Sequence, residues 1–119
     1  WVISDRFTDS SFAYQGAGRG LDAGFIAELE RQVVGIEPGL TLLLDLGIAH
    51  GRERTRGRDL LPDRIERERD EFFERVRGGF LARAAEHPRR FRVIDASPAA
   101  EAVAAIAVNL LRDYAGSLP

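Results

Sequence analysis

The stretch Asp5 to Gly20, DRFTDSSFAYQGAGRG, decides how the chain is read. It follows Trp1-Val2-Ile3, three apolar residues of strand-forming type, so Asp5 and Arg6 stand where a buried parallel strand would emerge. In open α/β sheets, ligands bind at that carboxyl edge. The pattern predicts a strand over residues 1–7 and a short helix over 9–15, whose first-turn N–H groups are capped by the Asp9 carboxylate. Ser11, Tyr14 and Gln15 stand at i, i+3 and i+4 and so share one face of that helix. A hydroxyl, a phenol and an amide placed together can hydrogen-bond the edge of a base and pack against a sugar. Gly16, Gly18 and Gly20 then end the helix in a loop whose backbone can come close to a ligand. The stretch reads as a nucleotide site.

Beyond it, Asp22 is placed to cap a second helix, with Phe25, Ile26, Leu29 and Val33 on one face and Gly35 as its terminator. That helix is expected to cross back over a sheet. Leu40 to Leu46, LTLLLDL, is almost uninterruptedly apolar, as expected of a strand buried on both faces, with Asp45 near its carboxyl end. Residues 48–58 begin as a helix and turn into an arginine-rich segment. Pro62 and Asp63 start a longer helix with Ile65, Phe72, Val76, Phe80 and Ala84 as its buried stripe, bent or loosened at Gly78-Gly79. Its interleaved charges from Glu66 to Arg77 read as a solvated face of i,i+4 pairs, each worth about 0.2–0.5 kcal/mol. Phe91 to Ile94 is a third short strand, ended by Asp95. Ser97 and Pro98 form an N-cap and first-turn pair, ahead of a last helix whose apolar face holds Val103, Ile106, Leu110 and Leu111. The order β-α-β-α-β-α implies an α/β fold with parallel strands and right-handed crossovers.

Composition narrows the classes. A net charge of −2 removes the basic excess that drives non-specific nucleic-acid binding. With 45% apolar and 30% charged residues the chain has a globular and not a disordered composition. The absence of cysteine excludes disulfides and thiolate metal sites. No apolar run approaches the roughly 20 residues of a membrane span. All 17 cationic residues are arginine, so the chain holds no G-x-x-x-x-G-K-S/T phosphate loop. The absence of Met, with bulky Trp1 in first position, leads us to expect a portion of a longer protein.

Taken together, Asp5-Arg6-Phe7, Ser10-Ser11 and Ala13-Tyr14-Gln15-Gly16 resemble the carboxyl-terminal part of bacterial thymidylate kinases, which transfer the γ-phosphoryl group of ATP to dTMP. Leu40 to Asp45, the arginine run Arg52 to Arg58, Asp63-Arg64-Ile65-Glu66, Phe72-Phe73 with Val76-Arg77, and Ile94-Asp95-Ala96 continue the resemblance in the family's order. Phe7 stands where Tyr or His is commoner, and Ser11 where many relatives carry Asn. The resemblance implies a nucleoside-monophosphate-kinase fold of the P-loop type, a three-layer α/β/α sandwich on a parallel sheet. Residues 1–119 would then be the carboxyl-terminal part of a single kinase domain, with three strands, their helices, and a lid at about residues 51–62. In the family's five-stranded sheet, the phosphate-loop strand lies between the first and second strands found here. The expected ligands are dTMP, ATP and Mg2+, the full-length protein is expected to be a cytoplasmic homodimer with no nucleic-acid or membrane partner, and this chain alone is expected to be inactive.

Phosphoryl transfer needs a protein mainly to position two anions and to neutralise charge on the transferred group, work suited to arginines and a metal-binding carboxylate. By resemblance Arg6 grips phosphate and Asp5 helps organise magnesium and the phosphates; an isolated Asp-Arg would read as a structural ion pair. Ser11 and Gln15 are the residues expected to read the thymine edge, with Tyr14 under the deoxyribose, where it excludes a 2′-hydroxyl. Spacing alone reads them equally well as solvated. Arg52, Arg54, Arg56 and Arg58 recur every second residue, which suits an extended or loop segment better than one helical face. As a lid they would bind ATP, with the catalytic arginine among Arg54, Arg56 and Arg58; otherwise they form a solvated basic loop. Asp95-Ala96-Ser97 are expected near the adenine. His50 and His87 receive no role. The rival readings are another nucleoside-monophosphate kinase of this fold, or a non-catalytic arginine-rich binding module.

Overall fold

The computed structural model describes residues 1–55 and 62–119. The elements are α1 (Thr8–Ser11), α2 (Ala23–Leu29), β1 (Thr41–Asp45), α3 (Ile48–Thr55), α4 (Asp63–Glu86), β2 (Phe91–Asp95) and α5 (Ala100–Ser117). Both α1 and α2 run on without a break into wider π-helical turns, over Phe12–Gly18 and Glu30–Val34. The chain divides into two compact units, residues 1–37 with 60–86, and residues 38–59 with 87–119.

In the first unit the expected opening strand does not form. A strand is held by ladder hydrogen bonds to a neighbour, and residues 1–7 form no strand of the sheet among the described residues; Trp1, Val2 and Ile3 are 80%, 93% and 89% exposed. The sheet therefore has two strands where the sequence predicts three. Asp9 does not cap the helix either. It lies inside α1 with its carboxylate on Arg83 of α4, and the residue before the helix, Phe7, offers no side-chain cap. Asp22 does cap α2, accepting the Phe25 N–H at 3.1 Å, and Gly35 ends the π turns at φ 67°, the left-handed conformation glycine adopts without a Cβ clash. Asp22→Ala is expected to cost about 1 kcal/mol, read as a lowered thermal midpoint. Of the predicted apolar face of α2, only Ile26 is buried; Phe25, Leu29 and Val33 are exposed.

α4 is continuous through Gly78-Gly79. A Cβ on Gly79 would stand 2.8 Å from Ala17 Cβ and 3.0 Å from Ala13 Cα, and one on Gly18 2.8 Å from the Phe72 ring. Gly79 and Gly18 thus bring the two helices into contact closer than side chains permit, while Val76 and Ala84 fill the buried stripe.

In the second unit β1 and β2 pair in parallel, in register from Thr41 opposite Phe91 to Asp45 opposite Asp95. The backbone ladder extends through Thr41 N to Arg90 O at 2.7 Å and Ala96 N to Asp45 O at 2.8 Å. Phe91 and Ile94 are buried at 5% and 2% exposure, whereas Leu44 and Val93 are half exposed. β1 is therefore not buried on both faces as its apolar run predicts. α5 begins at Ala100 and not at Pro98, because the Asp95 carboxylate takes the Ser97 N–H and holds residues 95–98 in a turn. No residue of α5 is fully buried.

Candidate functional site

Of the residues expected at a nucleotide site, the first unit joins Arg6 and Tyr14. The Arg6 backbone is left-handed at φ 66°, the one positive φ at a non-glycine position among the described residues. For a residue with a Cβ this costs on the order of 1–3 kcal/mol, and such conformations cluster at ligand sites. The Ser4 hydroxyl donates to the Arg6 carbonyl at 2.7 Å and braces the bend. The Arg6 guanidinium lies over the Tyr14 ring, 5.0 Å from its centroid, and Nη2 donates to the Tyr14 hydroxyl at 3.2 Å. Both side chains thus stand at one place, with the exposed Asp5 carboxylate next to them in the chain.

Tyr14 is itself held from α4. Its ring packs 6.2 Å from Phe72 and, edge-on, 6.1 Å from Phe80. Ser11 is the last residue of α1, whereas Tyr14 and Gln15 fall in the wider turns, so the even spacing of an α-helical face does not apply across them. Ser11 and Gln15 are exposed and Tyr14 is half-buried. The structure therefore brings Arg6 and Tyr14 together and leaves the hydroxyl and amide open to solvent.

The sequence reading missed the support beneath this helix. Asp9, 4% exposed, accepts from Arg83 Nε at 3.0 Å, and the Arg83 guanidinium lies 3.8 Å from the Phe12 ring centroid. Arg75 Nε donates to the Gly18 carbonyl at 3.1 Å. A signal was present: Arg83 falls three residues after Phe80 and seven after Val76, on the apolar stripe of α4, where an arginine needs a buried partner.

In the second unit the arginine run begins as helix. Arg52 and Arg54 lie within α3, correcting the extended reading of their alternation; Arg56 and Arg58 lie outside the described residues. Arg54 Nη2 donates to the carbonyls of Ala96, Ser97 and Pro98 at 2.8, 3.2 and 3.4 Å. It thereby fixes α3 to the turn after β2, the turn expected to carry the adenine. Arg54 also edges an open apolar groove of about 710 Å³ lined by Leu44, Ala96, Pro98, Val103 and Ala107.

The Asp95 carboxyl is held below the usual aspartate value by hydrogen bonds from Ser97, the backbone N–H first, with His50 adding a small electrostatic pull. A depressed folded value means that stability is present above the unfolded value and is lost as pH falls through the folded one. Unfolding midpoints in urea are therefore expected to fall on acidification below about pH 4. Asp95→Asn is expected to flatten that decline.

Among the described residues no group of three or more His, Asp or Glu is placed to hold a metal. No helix among them is long and apolar enough to cross a membrane.

Two parallel strands with helices between them in the chain define a parallel α/β protein, and in its first unit an arginine and a tyrosine stand joined. The thymidylate kinase family model matches residues 1–106, and the chain belongs to that family. It is 54% identical to the thymidylate kinase of Chromohalobacter salexigens over 112 residues, 92% of this chain and 53% of that protein. It is 57% identical to that of Nitrosospira multiformis over 104 residues, 87% of this chain and 50% of that protein. The crystal structure of thymidylate kinase from Ehrlichia chaffeensis superposes with a TM-score of 0.66 at 30% identity, over 91% of this chain and 48% of that one. The chain spans about half the length of the curated relatives it matches.

Proposed function

We propose that the protein to which this chain contributes phosphorylates dTMP to dTDP at the expense of ATP, and that residues 1–37 with α4 supply the dTMP site. The observation that carries this reading is Arg6, held in a strained left-handed conformation with its guanidinium on the Tyr14 ring and hydroxyl. A strained backbone aims the guanidinium from a short turn, and the contact with Tyr14 keeps it there. In this reading Arg6 grips the phosphate of dTMP, Tyr14 underlies the deoxyribose, and the exposed Ser11 and Gln15 read the thymine edge. Arg54, braced on the turn after β2, belongs with the ATP side; Arg52 and the lid arginines Arg56 and Arg58 neutralise phosphate charge.

Magnesium commonly takes one or two carboxylates with phosphate oxygens and water completing its shell. Asp5, exposed and adjacent to Arg6, fits as a single carboxylate in such a set. When bound, the metal would supply neutralisation of phosphate charge. The chain carries no lysine and so no phosphate loop; in this reading that loop comes from outside these 119 residues. We place the reaction in the cytoplasm, in a homodimer.

The test is dTMP-dependent ADP formation from Mg-ATP, with dUMP and other monophosphates as competing acceptors. The protein at its natural length is compared with the 119-residue chain. Turnover by the long protein alone, with dTMP preferred, is the expected result. No turnover by either would sink the assignment, and turnover by the short chain would require another ATP-phosphate site within it.

A further inference from the structure

The helix that carries Ser11, Tyr14 and Gln15 changes its winding between Ser11 and Phe12, from α to π. Such a change is not set by regular hydrogen bonding, because each π turn admits an extra residue and the α alternative lies one hydrogen-bond shift away. Something must hold the junction, since a shift there turns every later side chain about the axis.

The only arginine among the buried residues of α4 grips both sides of that junction. Arg83 Nε pairs with the Asp9 carboxylate in the α part, and the same guanidinium lies over the ring of Phe12, the first residue of the π part, 3.8 Å from its centroid. All three residues are nine-tenths buried. Arg83 Nη1 also stands 3.7 Å from Glu86 Oε2, while Nη2 is buried without a hydrogen-bond partner among the described residues. A buried donor left unsatisfied costs about 1–3 kcal/mol, so this arginine is poorly explained as a neutraliser of Asp9 alone. Its flat face does a second thing: it fixes the Phe12 ring, which an apolar residue or an ammonium would not hold in the same way.

We propose that Arg83, with Asp9 and Phe12, is a positioning clamp that fixes the α-to-π junction and thereby sets Ser11, Tyr14 and Gln15 for the nucleotide. None of the three touches the nucleotide in this scheme. The proposal rests on the dTMP-site reading for its kinetic consequence, but its structural content does not depend on that reading.

The test uses the protein at its natural length with Asp9→Asn, Arg83→Lys and the double variant Asp9→Leu with Arg83→Leu. Replacing a buried ion pair by an apolar pair commonly restores stability that a single substitution removes. The double variant is therefore expected to melt near the parent temperature. It should nevertheless show about a tenfold higher KM for dTMP with the KM for ATP unchanged, because binding groups displaced by a fraction of an ångström lose much of their effect. Arg83→Lys keeps the charge but not the flat face and should show the same split. A double variant that binds dTMP as the parent does would overturn the clamp and leave a purely structural ion pair. If the parent itself does not phosphorylate dTMP, the functional reading fails alone, and amide exchange decides the clamp. The double variant should then exchange faster over residues 11–18 with α4 unchanged, and equal exchange would overturn the proposal.

Discussion

Arg6→Ala is expected to lower kcat/KM for dTMP by about 10²–10³-fold, the loss typical of removing one preorganised donor to a developing charge. The substitution is a clean one because alanine at φ 66° is as strained as arginine, so the backbone cost is common to both proteins. What changes is the guanidinium, with its contact on the Tyr14 ring and its hydrogen bond to the Tyr14 hydroxyl. Arg6→Lys restores the charge without the planar fork and should recover only part of the loss. Steady-state kinetics on the natural-length protein, with circular dichroism to confirm folding, makes the measurement. An unchanged kcat/KM would move the phosphate contact away from Arg6.

Gly79→Ala is expected to destabilise the protein by about 1–3 kcal/mol, as overpacking of a close contact does. Helix propensity alone predicts the opposite sign, since glycine in a helix interior costs about 1 kcal/mol relative to alanine. The neighbours decide between the two. The added methyl would meet the Ala13 α-carbon at 3.0 Å, a backbone atom that can yield only if the whole π-helical segment moves away from α4. Gly78, the preceding residue, has nothing within 4 Å of such a methyl, so Gly78→Ala should leave stability level or raised. Thermal or urea unfolding of the pair of variants gives the sign at each position. A stabilised Gly79→Ala would show that the helices are free to separate.

Much of the second unit was legible from local pattern. The runs expected as strands at Leu40 to Leu46 and Phe91 to Ile94 appear as β1, Thr41–Asp45, and β2, Phe91–Asp95, parallel and in register, because β-branched and aliphatic residues bounded by turn signals fit few other structures. Asp22 and Gly35 mark the ends of their helix as their chemistry dictates. Of the expected constellation Asp5, Arg6, Ser11, Tyr14 and Gln15, the structure joins Arg6 to Tyr14, eight residues apart, and leaves Ser11 and Gln15 open to solvent.

Local pattern failed where the outcome depended on a partner distant in the chain. Trp1-Val2-Ile3 has the composition of a strand, but a strand exists only through hydrogen bonds to a neighbour, and composition does not supply the neighbour. Asp9 is an adequate N-cap by type; the Arg83 guanidinium, 74 residues away, claimed its carboxylate instead. Gly78-Gly79 reads as a weak point in a helix, yet Gly79 is a contact surface, a property set by Ala13 and Ala17. The alternating arginines read as extended, yet Arg52 and Arg54 are helical and Arg54 is held by three carbonyls of the turn after β2.

The amino-acid sequence thus determined the family and the parallel α/β pattern, because these depend on short-range order along the chain. Tertiary packing decided which carboxylate caps and which one pairs, which of two adjacent glycines packs against a neighbour, and where a helix changes its winding. Each of those choices compares a local interaction with one offered by a distant residue, and its outcome depends on distances that residue order does not specify.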